Sequence, residues 1–275
     1  ACSIPPYDVS KEAVNKIEVE VEKVISNMKI IGLVNVQLAY VNNNVYILEV
    51  NPRASRTIPF VSKALGVPLA RVAAKVMAGK SLKDLKFQNV PNLEGFFVKE
   101  AVMPFNKFQN VDPILGPEMR STGEVMGIGN SFAEAFEKAE VGAGVEIPKK
   151  GSVFISVRDT DKQFLSEIVP SLVEEDFNLI ATKGTASVIK NMGFKVSQIK
   201  KVIEGRPNIV DLMKNKEVNL VINTTEGRES ILDSASIRRT ALDEKICCTT
   251  TIKGAKAICE VITKKVDWSY RKLQD

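Results

Sequence analysis

Glu49-Val50-Asn51-Pro52-Arg53-Ala54-Ser55-Arg56-Thr57 sets two oxygen donors and two guanidinium groups at spacings suited to a metal-nucleotide complex. Residues i and i+2 of a strand share a face, so Glu49 and Asn51 can present their oxygens to one site. Just upstream, Val34-Asn35-Val36-Gln37-Leu38-Ala39-Tyr40-Val41 and Val45-Tyr46-Ile47-Leu48-Glu49-Val50 read as paired strands, with Asn42-Asn43-Asn44 as the hairpin loop. A hairpin centred on Asn43 puts Gln37 directly across from Glu49. Gln37, Glu49 and Asn51 are therefore the expected metal ligands, with Gln37 and Glu49 also the cofactor-binding pair. Hard oxygen donors of this kind suit Mg or Mn that also holds phosphates and water. Arg53 and Arg56 are the expected catalytic residues, reaching the phosphate oxygens. A solvated hairpin is the simpler reading of a lone Gln or Glu. Here Val34, Val36, Leu38, Val45, Ile47 and Val50 make a half-buried pair, and the polar residues beside them need partners.

The 275 residues suffice for two ordinary domains, and 44% hydrophobic with 26% charged residues is a soluble, globular composition. No run of about 18 apolar residues offers a membrane span, and Ala1-Cys2-Ser3-Ile4-Pro5-Pro6 has no secretory pattern. Cys2, Cys247, Cys248 and Cys259 form no CxxC framework, which fits a reducing, cytoplasmic setting. The chain has no His, which removes Ser-His-Asp and Cys-His catalysis and every His-based zinc site. A net charge of +5 is scattered among 33 acids with few aromatics, so nucleic acid is not an expected partner.

Along the chain, Lys11 to Met28 carries Val14, Ile17, Val21, Val24, Ile25 and Met28 at helical spacing. Ile58 to Ala64 and Pro68 to Met77 read as two more helices, and Gly79-Lys80-Ser81 as a helix stop, not a phosphate loop. Glu94 to Phe105 reads as a strand and Ser131 to Glu140 as a helix. Residues 141–150, small and Gly-rich, are the best linker. Beyond them, strands (Ser152–Val157, Asn178–Ala181, Lys195–Val202, Val218–Asn223, Lys245–Cys248) alternate with helices (Asp161–Glu175, Thr185–Met192, Asn208–Lys214, Ser234–Leu242, Ile252–Ile262). That alternation predicts a doubly wound α/β domain with a parallel sheet. Thr182-Lys183-Gly184-Thr185 and Asn223-Thr224-Thr225-Glu226-Gly227-Arg228 each follow a strand, at the edge where open α/β sheets bind anions. With Lys162 and Lys201 nearby they predict a pocket for one phosphate monoester. A Thr at one helix start is commonly only a cap; the recurrence favours a ligand.

Gln37, Glu49-Val50-Asn51-Pro52-Arg53 and Pro59-Phe60-Val61-Ser62-Lys63-Ala64 resemble the end of an ATP-grasp domain, closest to the second such unit of carbamoyl phosphate synthetase large subunits. Pro104-Phe105-Asn106-Lys107-Phe108 and the run from Gly116 to Gly127 resemble that family too. The resemblance implies an α+β ATP-grasp portion over residues 1–147 and a methylglyoxal synthase-like regulatory domain over 148–275. It implies ATP as substrate, carbamate phosphorylation within carbamoyl phosphate synthesis from bicarbonate, glutamine-derived ammonia and two ATP, and a place in arginine and pyrimidine biosynthesis. It also implies a glutamine amidotransferase small subunit as partner and an oligomeric parent enzyme. An earlier, nucleotide-clamping lobe belongs before Ala1, so this chain alone is expected to be inactive. In that family the positions matching Lys162, Thr182, Thr185, Lys201, Asn223, Thr225 and Arg228 contact UMP or IMP as effector. Bacterial members bind ornithine through residues matching Glu100, Cys248 and Thr250. Cys248 stands where the family has Tyr, which leaves ornithine binding open while Glu100 and Thr250 remain candidates. The competing readings are a stand-alone nucleotide-monophosphate sensor, which leaves the metal hairpin unexplained, and another ATP-grasp ligase such as a biotin-dependent carboxylase.

Overall fold

A computed structural model describes residues 1–87, 91, 93–103 and 123–270, without the side chains of Arg228, Glu229 and Asp233. The motif blocks expected at 104–108 and 116–122 lie outside the described residues. Two compact units are present, Cys2–Phe97 and Val98–Asp275, the latter including Ala1.

The first unit begins with β1 (Cys2–Ile4) and α1 (Lys11–Ser26), whose Ser10 cap accepts a hydrogen bond from the Ala13 amide at 3.1 Å. α1 packs on the antiparallel hairpin of β2 (Asn35–Val41) and β3 (Asn44–Asn51). Asn42 and Asn43 both take positive φ, 50° and 62°, so the turn has two residues and Asn44 already pairs with Val41. The expected three-residue loop is thus one residue too long. Helices α2 (Ile58–Leu65) and α3 (Leu69–Met77) follow, separated by Gly66 in the left-handed conformation. Gly79, at φ 93°, ends the turn after α3, as the helix-stop reading requires.

The second unit opens on β4 (Phe96–Val102), β5 (Gly123–Gly129) and α4 (Phe132–Gly142). α4 lies so close on β5 that a Cβ at Gly127 would come within 1.9 Å of the Ala135 carbonyl oxygen. The remaining elements are β6 (Ser152–Ser156), α5 (Leu165–Glu174), β7 (Asn178–Thr182), α6 (Lys183–Asn191), β8 (Ser197–Ile199), α7 (Ile209–Lys214), β9 (Leu220–Asn223), α8 (Arg228–Asp233), α9 (Ala235–Asp243), β10 (Cys247–Thr249) and α10 (Ile252–Lys264). β6 to β10 form a wholly parallel sheet in the order β10-β9-β6-β7-β8. Continuous burial of Val153-Phe154-Ile155 and Leu220-Val221-Ile222 means that both faces are covered. Phe154 and Val221 pack with Ile209 and Met213 of α7 and Ile237 of α9, while α10 packs on α4 and α5.

Most expected elements are found within two or three residues. Five differ. The helix expected from Asp161 opens as a 3-10 segment, Asp159–Phe164, before α5, and the strand expected over Lys195–Val202 shortens to three residues of β8. α8 is an additional turn of helix, and β1 and β5 are strands that the sequence reading lacks.

Candidate functional site

In the hairpin, Gln37 is the cross-strand partner of Glu49, and Asn35 that of Asn51. A register shift creates the first pairing: Leu38 faces Ile47, yet Gln37 faces Glu49, leaving Leu48 as an extra residue in β3. The bulge changes which face each later side chain occupies. Val45, Ile47 and Val50 then share the half-buried face with Val36, Leu38 and Tyr40, while Glu49 and Asn51 join Gln37 and Asn35 on the other. Asn35 is the donor that the sequence reading omitted, although it stands two residues from Gln37 and so shares its face. Arg53 and Arg56 are exposed after β3, and the Arg53 guanidinium donates to the Ala54 carbonyl at 3.1 Å. One carboxylate with neighbouring amide oxygens, on a face free of thiols, is a donor set that fits a hard divalent ion.

In the parallel sheet, Ser156, Thr182 and Asn223 are the last residues of β6, β7 and β9. They line one cavity of about 450 Å³, at the switch point where the sheet order reverses around β6. Lys162, Thr182, Thr185, Lys201, Asn223 and Thr225 all line it, so these sequence-predicted residues are brought together. The side chain of Arg228, at the start of α8, lies outside the described residues. The hydroxyls of Ser156 and Thr182 share a hydrogen bond of 3.1 Å. Thr185 Oγ1 accepts from the Val157 amide at 3.3 Å and Thr224 Oγ1 from the Arg158 amide at 3.1 Å, which pins the loop after β6. Asn223 is 2% exposed, and its Nδ2 has no partner. A buried amide donor left open is costly unless something fills the site. Gly184 leaves room for an ammonium: a Cβ there would sit 3.2 Å from Lys162 Nζ.

The rim carries acid-base pairs that the sequence reading omitted. Arg158 Nε bonds the buried Asp161 at 2.9 Å, and its Nη1 lies 3.8 Å from Glu226. Lys162 Nζ lies 2.6 Å from Asp159. Ser156 was legible in principle, since it ends a strand as Thr182 and Asn223 do.

Glu100 lies on β4, where its carboxylate meets the α-ammonium of Ala1 at 3.1 Å. Cys248 lies in β10, its thiol pushed up to about 12 by burial, and the exposed Thr250 follows that strand. Glu140 of α4 was not foreseen. Burial, then the charge of Glu100, raises its carboxyl to about 7.

Two family models match this chain: the carbamoyl-phosphate synthase L chain, ATP binding domain, over residues 3–85, and the MGS-like domain over 165–250. Along its whole length the chain is 55% identical to a carbamoyl phosphate synthase large chain of Pseudomonas putida, 54% to that of Pseudomonas aeruginosa and 50% to that of Pasteurella multocida. The chain spans about a quarter, 26%, of the length of each of these relatives. Among solved structures, a methylglyoxal synthase from Elizabethkingia anophelis is similar at a TM-score of 0.36 and 16% identity, covering 42% of this chain and 83% of that one.

Proposed function

The chain belongs to the carbamoyl phosphate synthase large-chain family, whose C-terminal region it matches, and from that premise we propose that it serves two sites of such an enzyme. The first, on residues 1–147, helps phosphorylate carbamate with ATP in an ATP-dependent ligase. The second, on 148–275, binds a nucleotide monophosphate effector, UMP or IMP. The observation that carries the catalytic reading is the bulge-made pairing of Gln37 with Glu49.

Gln37, Glu49 and Asn51 are the residues that would hold Mg or Mn, with Asn35 beside them on the same face. The chemistry a bound ion would supply there is neutralisation of phosphate charge. Arg53 and Arg56 supply positive charge to the transferring group. Phosphoryl transfer depends mainly on positioning and charge neutralisation, so a chain without His suffices. For the second site, the open Asn223 amide and the two lysines support an anionic ligand. Glu100 and Thr250 are the residues proposed to meet ornithine, with Cys248 offering no phenol. A glutamine amidotransferase small subunit, an oligomeric assembly and a cytoplasmic location belong to the same reading. Among the described residues no helix is long and apolar enough to cross a membrane.

The test is carbamoyl phosphate synthesis by the full-length enzyme carrying Glu49→Gln. Loss of the charge without change of shape should lower synthesis by two or more decades, roughly 3 kcal/mol. Near-normal synthesis at saturating Mg would mean that the hairpin is structural and that Glu49 holds no catalytic metal.

A further inference from the structure

We propose that Asp159 is a built-in stand-in for the ligand's phosphate: its carboxylate pairs with Lys162 in the pocket and must be displaced before a phosphate monoester binds. This rests on the reading of the pocket as a phosphate monoester site, and adds the residue that sets its affinity.

The two acid-base pairs at the rim differ in kind. Asp161 is buried, and Arg158 is bonded to it three residues away, so that pair secures the loop after β6. Asp159 is the opposite case: its side chain is 92% exposed, yet its carboxylate lies 2.6 Å from Lys162 Nζ, whose own side chain is 25% exposed. An exposed carboxylate has ample water to return to, so a pair of this kind is weak and readily exchanged. Lys162 then keeps its place beside Gly184 whichever anion it faces. Lys162 first, and Lys201 more distantly, hold the Asp159 carboxyl below its ordinary value, so both lysines of the pocket already act on this one carboxylate. A phosphate monoester carries between one and two negative charges and three acceptor oxygens, and Asp159 carries one charge. The ligand therefore outcompetes Asp159 for the lysines, while an uncharged nucleoside has no means to do so. The open Nδ2 donor of Asn223 remains available throughout, because Asp159 is paired to the lysine and not to it.

Titration calorimetry on the purified chain tests this with UMP, IMP, inorganic phosphate and uridine, at low salt. Asp159→Asn should tighten UMP, IMP and phosphate by about two- to fivefold, the range of an exposed ion pair removed from competition. Uridine should be unaffected. Glu167→Gln is the control for general charge, since Glu167 pairs with Lys256 and does not line the cavity; it should change phosphate binding by less than about 1.5-fold. Equal gains in both variants, or no gain in Asp159→Asn while the unmodified chain binds UMP, overturns the stand-in. Failure of every phosphate-bearing ligand to bind any of the three proteins overturns the phosphate site itself, and Asp159 with it.

Discussion

Gln37 faces Glu49 across the β2 and β3 hairpin because Leu48 is an extra residue in β3. The two-residue turn at Asn42-Asn43 sets a register in which Gln37 would face Leu48. The bulge advances β3 by one residue and brings Glu49 there instead. Leu48 itself is 62% exposed, so it serves the register and not the core.

It follows that Leu48 is dispensable where Glu49 is not. Deleting Leu48 joins Ile47 to Glu49 in an unbroken ladder, and Glu49 still falls opposite Gln37 with Val50 on the buried face. The full-length enzyme with this deletion should keep synthesis within about tenfold of the parent, against the hundredfold loss expected for Glu49→Gln. Rates for the two variants, measured side by side, decide it. A deletion as damaging as Glu49→Gln shows that the bend of the bulge, beyond the pairing, is required.

The proposed effector pocket makes a second prediction. UMP or IMP should raise the melting temperature of the chain, since a ligand specific for the native state stabilises it by mass action. Lys201→Ala should weaken binding by about 1 to 3 kcal/mol, the range for a charge-assisted hydrogen bond. Asn223→Asp replaces an open donor by a buried carboxylate facing the phosphate and should abolish the melting shift. A retained shift in Asn223→Asp would place the phosphate away from β9.

Much of this was legible before any coordinates. The parallel sheet follows from apolar runs alternating with helical periods, and the gathering of Thr182, Thr185 and Asn223 on one cavity from small polar residues at strand ends. The hairpin pairing was also foreseen, but through two errors that cancel: a loop one residue too long and a missed bulge. The bulge left a trace, since Val45, Ile47 and Val50 cannot share one face of a regular strand. Other features were out of reach because they join residues far apart in the chain. Asp159 stands only three residues from Lys162, but nothing in its identity says that it is exposed while Asp161 is buried. Likewise Trp268 and Ser269 carry no sign of the helix they meet about 130 residues earlier.

Thiol chemistry gives a third prediction. Burial raises Cys247 far above the ordinary range and Cys248 and Cys259 to about 12, whereas Cys2 is exposed. Thiolate is the reactive form, so iodoacetamide at pH 8 should label Cys2 first and the other three only on unfolding. Peptide mass analysis over time reads the order; early labelling of Cys248 would show that β10 opens locally.

The fourth prediction concerns the segment after α10, which is clasped onto α4. The Glu134 carboxylate is buried and accepts from the Ser269 amide and hydroxyl, both at 2.6 Å, and from Lys138 at 2.7 Å. Lys138 also donates to the Ser269 carbonyl and, at 2.8 Å, to that of Ile128, while Trp268 donates to Glu137 at 3.0 Å. Burial alone pushes the Glu134 carboxyl up, but Lys138 and Ser269 together outweigh it and bring the group down to about 2 from an ordinary 4.5. A carboxylate whose folded value is depressed contributes stability that is present above its unfolded value. That contribution is lost as pH falls from 4.5 toward 2. The shift corresponds to something on the order of 3 kcal/mol at neutral pH. Glu134→Gln should therefore lower the urea midpoint clearly at pH 7, and the gap to the unmodified chain should narrow by pH 3. Ser269→Ala, which removes one of two donors, should cost about 1 to 2 kcal/mol at pH 7. A gap for Glu134→Gln that stays constant across that pH range would mean that the clasp is held by packing of Trp268, not by the charge on Glu134.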